Sequence, residues 1–263
     1  MWELILPFLG FLIAFVAVMI GVGGGVFIVP LLTLAYGFAP AHAVGTSLMV
    51  IIFGGISATV GYSRHKLVFF KTGLLLAIAT VPGSILGAYL TSIMSGAVLA
   101  FIFGGFLIVV AIRMILSNDL VRPKKPGAKN SKVVWSEPDV FADKRRFLVA
   151  FGLSFFGGVA SALLGIGGGL VFVPVLSLVL LLPIHVVVAT SMFTMVFTSF
   201  VGVVQHWTLG NVNLEYGLFL AIGAVLGAQV GSWACKRVSG DKLQVVFAVA
   251  LVLLSAQMIF KFV

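Results

Sequence analysis

The sequence GVGGGVFIVP, residues 21–30, places four glycines and a closing proline inside a long apolar stretch. It returns as GIGGGLVFVP at residues 165–174, which is 144 positions later (165 − 21 = 144). The pair Thr46-Ser47 returns at the same spacing as Thr190-Ser191. Two motifs that share one spacing predict that the chain is an internal duplication.

The composition predicts an integral membrane protein of the inner or plasma-membrane type. The chain has 263 residues, of which 61% are hydrophobic and 9% are charged, and its mean hydropathy is +1.25. Soluble proteins carry about 25% charged residues, which these values do not approach. The composition therefore excludes nucleic-acid modules and disordered tails, and the single cysteine, Cys235, excludes an internal disulfide.

Ten apolar segments, five in each half, predict an all-α, polytopic helical protein. The second and seventh segments each follow a glycine cluster and reach only ~17–20 Å, less than the ~30 Å hydrocarbon core. We expect these two to be short glycine-broken or re-entrant helices. The segments are Trp2–Ile20, Val26–Tyr36, Val44–Tyr62, Gly73–Tyr89, Val98–Leu116, Phe147–Leu164, Leu170–Leu182, Val186–Val204, Tyr216–Cys235 and Val245–Phe262.

A second set of glycines, spaced by four, predicts close helix–helix contacts. Gly83 and Gly87 are matched with Gly223 and Gly227 at a spacing of 140, which requires one small deletion relative to the main register. Gly231 extends the second series.

The basic residues predict that the two halves have opposite orientations. The loop after the third segment holds Arg64, Lys66 and Lys71, whereas its counterpart, residues 205–215, holds no Lys or Arg. Positive loops prefer the cytoplasm, so an inverted-topology repeat of 5+5 segments is expected. Its parts are repeat 1 (residues 1–117), a cytoplasmic basic loop (118–146) and repeat 2 (147–263), with both termini outside.

The glycine clusters are the predicted substrate site. A broken helix inside lipid exposes backbone N–H groups, and such groups bind anions; the simpler alternative is that the glycines only permit close packing. The Thr-Ser hydroxyls either cap their helices or donate to a substrate oxygen. The predicted substrate-binding residues are Gly23, Gly24, Gly25, Thr46, Ser47, Gly167, Gly168, Gly169, Thr190 and Ser191.

The distribution of acidic residues favours an anion or a neutral solute. All seven Asp and Glu lie at the chain ends or in loops, with Glu3 at the very start of the first segment, whereas cation carriers usually place carboxylates within the membrane. His42 and His185 precede the Thr-Ser pairs and offer an alternative role in proton coupling. With Gln205, His206 and Gln229 they are secondary site candidates. No catalytic residue, metal site or cofactor is predicted.

At these residues the sequence resembles the TauE/SafE sulfite exporter family of bacterial membrane permeases. The resemblance rests on the paired glycine clusters with their Val-Pro, the Thr-Ser pairs and the basic central loop. It implies transport of sulfite, sulfoacetate or another small sulfur-containing anion across a bacterial inner membrane, in the direction of export or uptake.

Other functions remain open at this point. A transporter of sulfur-free carboxylates or small neutral solutes would fit the same pattern. An intramembrane enzyme would need a nucleophile–base pair or a metal cluster within the segments, so we expect no enzyme. The expected partners are the substrate anion, the lipid bilayer and further copies of the chain, with no nucleic acid.

Overall fold

The computed structural model describes residues 5–95, 97–98, 101–102, 105 and 137–235, and within them the regular elements are all helices. Helices α2 and α7 each continue into one π-helical turn, Leu31–Ala35 and Val175–Val179. The helices are α1 (Leu6–Ile20), α2 (Gly25–Pro30), α3 (Pro40–Ser63), α4 (Phe70–Ile93), α5 (Glu137–Ala142), α6 (Lys144–Leu164), α7 (Gly169–Pro174), α8 (Ile184–Thr208) and α9 (Leu214–Ala234).

Five of these helices, α3, α4, α6, α8 and α9, are long and apolar enough to cross a membrane. The prediction of a multi-pass helical membrane protein is therefore confirmed. The tenth predicted segment, nearly all of the fifth and residues 118–136 of the basic loop lie outside the described residues.

The long helices extend beyond the predicted segments. Helix α3 begins at Pro40 instead of Val44 and α8 at Ile184 instead of Val186, while α4 runs on to Ile93. Proline is well suited to the first turn of a helix, where its missing N–H is not needed. Hydropathy marks only the most apolar part of a helix, which explains the difference.

The two halves of the chain pair by exchanging helices. Helix α1 lies parallel to α9, since added Cβ atoms at Gly223, Gly227 and Gly231 would collide in turn with the backbones of Pro7, Phe11 and Phe15. Helix α4 packs on α6 in the same way. Without side chains, glycines allow the helix backbones to approach this closely.

The contacts of these glycines correct the predicted register. A Cβ at Gly83 would meet the carbonyl oxygen of Phe155, and one at Gly227 would meet that of Phe11. Gly83 lies 144 residues before Gly227, and Phe155 lies 144 residues after Phe11. Gly83 therefore corresponds to Gly227. The predicted match of Gly83 with Gly223 was wrong, and no deletion is required.

Helices α3 and α8 cross antiparallel at the centre of the molecule. The Cβ position of Gly45 lies 3.0 Å from His206 Cβ, whereas that of Gly55 lies 2.9 Å from Val196 Cγ2. An early residue of α3 thus meets a late residue of α8, and a later one meets an earlier one. The loops that follow the two helices, residues 64–69 and 209–213, therefore lie at opposite ends of the bundle.

The end of the basic loop is attached to the α3–α4 loop. Glu137 Oε1 accepts a hydrogen bond from Thr72 N at 2.7 Å, in the first turn of α4. The Lys71 ammonium lies 5.1 Å from the centre of the Phe141 ring, a cation–π contact. These contacts place the two loops on the same side of the protein.

We predict that Gly227→Ala destabilises the protein, because the new methyl group would collide with the Phe11 carbonyl. The expected loss is about 1–3 kcal/mol, measured as thermal unfolding in one detergent. Gly152→Ala is the matched control, since a Cβ there meets no atom within 4 Å and alanine favours a helix. Equal melting temperatures for both variants would contradict this account of the packing.

Candidate functional site: two facing glycine breaks

Glycine interrupts a helix at both repeated motifs, as the sequence predicted. Helix α1 ends at Ile20 and α2 begins at Gly25, and α6 and α7 are separated by residues 165–168. Gly21, Gly23 and Gly24 have φ of +83° to +85°, and the corresponding glycines of the second copy have φ of +69° to +84°. Only glycine adopts this left-handed conformation at little cost.

The two breaks lie directly against each other. A Cβ added to Gly25 would overlap the carbonyl oxygen of Gly165, and one added to Gly169 would lie 2.7 Å from that of Gly21. Close packing alone thus explains why these two positions are glycine. It does not explain Gly23 and Gly24, where positive φ is the requirement.

The serines of the Thr-Ser pairs hold the breaks together. Ser47 Oγ donates to the Gly165 carbonyl oxygen at 2.6 Å, and Ser191 Oγ donates to that of Gly21 at 2.8 Å. Each hydroxyl thus reaches from one copy to the break of the other. The suggestion that these hydroxyls cap their helices was wrong, because α3 and α8 begin at Pro40 and Ile184.

The threonines anchor the helices that follow. Thr46 Oγ1 accepts a hydrogen bond from Asn213 N at 3.0 Å, and Thr190 Oγ1 accepts one from Phe69 N at 3.1 Å. Asn213 and Phe69 immediately precede α9 and α4. The four Thr-Ser hydroxyls are therefore engaged with backbone in this conformation, and their contact with substrate stays a prediction.

The glycine N–H groups are the free donors of the site. Among the described residues, the N–H groups of Gly23, Gly24 and Gly25 bond to no acceptor, and the same holds for Gly167, Gly168 and Gly169. All six residues are buried except Gly23, which is half-buried. Buried unpaired N–H groups are costly in a protein interior, and they are the donors that an oxyanion would use.

Side chains also donate to backbone carbonyls in the last turn of each helix that precedes a break. Tyr62 Oη donates to the Val18 carbonyl at 2.8 Å, and His206 Nε2 donates to that of Ala162 at 2.8 Å. Both pairs obey the 144-residue spacing. Of the two, only His206 was predicted as a site candidate from the sequence; Tyr62 was not, although it lies 144 residues before His206.

The other secondary candidates do not join the breaks. His42 and His185 are exposed in the first turns of α3 and α8. Gln205 lines a surface groove with Pro82 and Tyr89. Gln229 Nε2 donates to Ser57 O at 2.8 Å, which ties α9 to α3.

A small cavity adjoins the first break. It measures about 10 Å³ and is lined by apolar side chains and glycines, among them Ala17, Gly23, Gly24, Ile28 and Gly55. That volume corresponds to about one water molecule, so this cavity is too small for a sulfur oxyanion in this conformation.

We predict that Ser47→Ala and Ser191→Ala destabilise the protein to similar extents, by about 1–3 kcal/mol each, because each leaves a buried carbonyl unpaired. At this size that corresponds to ~2–4 °C of melting temperature per kcal/mol. Ser63→Ala is the control, since Ser63 bonds within its own helix, to Thr59 O. If only one of the two variants lost stability, the two serine–carbonyl hydrogen bonds would not contribute equally, which would contradict this prediction.

Comparisons with known proteins agree over nearly the whole chain. The family model "Sulfite exporter TauE/SafE" matches residues 6–258. "Probable membrane transporter protein YunE" of Bacillus subtilis (strain 168) is 33% identical over 266 residues, which cover 98% of this chain and 97% of that protein. "Probable membrane transporter protein MJ0441" of Methanocaldococcus jannaschii is 26% identical over 264 residues, covering 93% and 92%.

A plant protein matches a shorter part. "Sulfite exporter TauE/SafE family protein 3" of Arabidopsis thaliana is 38% identical over 80 residues, which cover 30% of this chain and 17% of that protein. No solved structure matches. The family match over residues 6–258 and the near full-length likeness to membrane transporters show that the chain belongs to the TauE/SafE family and is a multi-pass membrane transporter, not an enzyme.

Proposed function

We propose that this chain is a secondary transporter that exports small sulfur-containing anions, either sulfite or organosulfonates such as sulfoacetate. The anion is held near the middle of the membrane between the two glycine breaks. Its ligands are the N–H groups of Gly23–Gly25 and Gly167–Gly169, while the Thr46-Ser47 and Thr190-Ser191 pairs border the site.

The observation that carries the proposal is the meeting of two sets of buried, unpaired N–H groups at one interface. Each break is held against the other by a serine–carbonyl hydrogen bond, so the donors of both halves lie at one interface. A group of donors without a competing carboxylate favours a negatively charged ligand. The printed family description, a sulfite exporter, supports a sulfur oxyanion.

The placement of the described acidic side chains supports an anion over a cation. Glu137 bonds to the start of α4, Asp143 caps α6 by accepting from Arg146 N, and Glu215 is exposed in the first turn of α9. None of these three carboxylates reaches the breaks. Carboxylates within the membrane are the usual ligands of coupling cations.

Export follows from the membrane potential. With the cytoplasm negative, each negative charge that leaves gains ~2.3 kcal/mol per 100 mV. An exporter of sulfonates therefore works without a coupling ion, whereas uptake needs one.

We further propose an inverted-topology repeat of five membrane segments in each half. The α3–α4 loop carries Arg64, Lys66 and Lys71, whereas the α8–α9 loop at the opposite end of the bundle carries no basic residue. The preference of basic loops for the cytoplasm supports a cytoplasmic location for the α3–α4 loop and for the end of the central loop that is attached to it. In an inverted repeat the two halves are related by a pseudo-two-fold axis in the membrane plane. The pairing of α1 with α9 and of α4 with α6 is in keeping with such an axis.

Single-cysteine labelling tests this topology. In a Cys235→Ala background, which removes the chain's one cysteine, His65→Cys is expected to react with a membrane-impermeant maleimide only from the cytoplasmic side. Leu209→Cys is expected to react only from outside, and both residues are exposed. Labelling of both from the same face would contradict the inverted arrangement.

Transport measurements test the site. We expect Gly24→Ala and Gly168→Ala to reduce sulfite efflux from loaded proteoliposomes at least tenfold, because a side chain at positive φ reorients the N–H groups of the break. Gly37→Ala and Gly210→Ala are the matched controls: both have φ of +71° and open space around the Cβ position. The controls undergo the same backbone strain outside the breaks.

Two outcomes would overturn the proposal. If Gly24→Ala and Gly168→Ala export as well as the controls, the breaks do not bind substrate. If acetate or a neutral solute leaves the vesicles faster than sulfite and methanesulfonate, the substrate is free of sulfur.

A further inference from the structure

The two halves differ in the chemistry of one equivalent region. The cavity beside the first break is lined by 13 residues, none of which carries a hydroxyl group. At the positions 144 residues away from these, six residues are serines or threonines, and five of the six lie in the second half. They are Ser154, Ser161, Thr194, Thr198 and Ser199, together with Thr80, which corresponds to Ala224.

Four of these hydroxyl groups have protein partners. Thr80 and Thr198 bond to each other at 3.0 Å, and Thr198 also donates to Thr194 O. Ser154 donates to Ala150 O, and Thr194 donates to Thr190 O. These bonds satisfy the side chains without any ligand.

The other two hydroxyl groups, those of Ser161 and Ser199, bond to no partner among the described residues, although both side chains are completely buried. An unsatisfied buried hydroxyl is costly and calls for an explanation. The first copy avoids the cost, because it has Ala17 and Gly55 at these positions.

Both hydroxyls lie beside the second break. Ser199 Oγ is 3.2 Å from the Cβ position of Gly167. Ser161 lies in the last turn of α6, where its carbonyl oxygen accepts a hydrogen bond from Gly165 N at 2.8 Å. Its counterpart Ala17 lies with its Cβ 3.6 Å from the Cβ position of Gly24, and by the repeat we infer that Ser161 lies near Gly168. Two free hydroxyl donors therefore accompany the free N–H groups of Gly167 and Gly168.

We propose that the second break supplies the side-chain ligands of the oxyanion: the hydroxyls of Ser161 and Ser199 bind it together with the backbone N–H groups of the breaks. This rests on the proposed function and deepens it, since it adds hydroxyl ligands that only one of the two copies contains. Four neutral donors from α6, α8 and the connecting loop approach from different directions, which suits the three oxygens of a sulfite or sulfonate better than the two of a carboxylate.

Phe172 occupies the region in this conformation. Its ring lies 2.9 Å from the Cβ position of Gly157 and 2.8 Å from that of Gly168, and the side chain is fully buried. Ile28 holds the corresponding place at the first break, beside the small cavity. Entry of an anion at the second break therefore requires the Phe172 ring to move.

Binding to the purified full-length protein tests this assignment, with methanesulfonate as the probe and thermal stability measured without and with it. Ser161→Ala and Ser199→Ala are expected to melt at the wild-type temperature or above in the absence of probe, because they remove an unpaired buried polar group. Each is expected to weaken methanesulfonate binding about tenfold or more, since a hydrogen bond to a charged ligand is lost.

Thr72→Val is the matched control. Thr72 Oγ1 is also buried and unpaired, but it lies about 12 Å from Thr80 along α4. Removing it is expected to leave methanesulfonate binding unchanged.

Each outcome has one meaning. Unchanged methanesulfonate binding by both serine variants, or melting temperatures lowered as far as in Ser47→Ala, would overturn the assignment while leaving sulfonate transport intact. If the wild type binds acetate but not methanesulfonate, the same variants are measured with acetate; weaker acetate binding supports the site and overturns only the substrate class. If the wild type binds neither anion, both proposals fail.

Discussion

Backbone groups released by a helix break inside the bilayer must find partners within the protein, and this requirement organises the whole structure. The breaks at residues 21–24 and 165–168 release carbonyl oxygens at the ends of α1 and α6. Ser47 and Ser191 reach across the interface to two of them, and Tyr62 and His206 satisfy two more. The carbonyls are thus bonded while glycine N–H groups stay free, which gives the interface the character of a donor site.

The duplication explains why these hydrogen bonds occur in pairs, because a contact made by one copy to the other is repeated in the reverse direction when the two copies face each other. Ser47 with Gly165 and Ser191 with Gly21 are the same hydrogen bond seen from either half. Departures from the repeat are therefore informative. The group that donates a hydrogen bond to the equivalent carbonyl is the Tyr62 hydroxyl in the first half and the His206 imidazole in the second. Ser161 and Ser199 stand where the first half has Ala17 and Gly55. The common contacts build the scaffold, and the differences are where the two halves acquire separate roles.

Sequence alone predicted the features that depend on local chemistry. Glycine at positive φ, the 144-residue repeat and the existence of the long apolar helices all follow from residue type and spacing. It failed where the answer depends on a distant partner. Nothing local shows that Ser47 bonds to Gly165 instead of capping α3, or that Gly83 corresponds to Gly227, since both facts depend on which helices meet. Glu137 likewise bonds to Thr72 across 65 residues of chain, and its charge alone suggested only a solvated loop.

The exchanged pairing of helices has a consequence for biogenesis. Gly10 of α1 packs directly on the backbone of Leu220 in α9, so the face of α1 that packs on α9 is synthesised about 200 residues before the helix that covers it. During translation that face is open to lipid or to other nascent chains. Helix α4 is separated from its partner α6 by a much shorter stretch of chain, since α4 ends at Ile93 and α6 begins at Lys144. Assembly of this transporter in the membrane is therefore expected to include a late step in which α1 docks on α9.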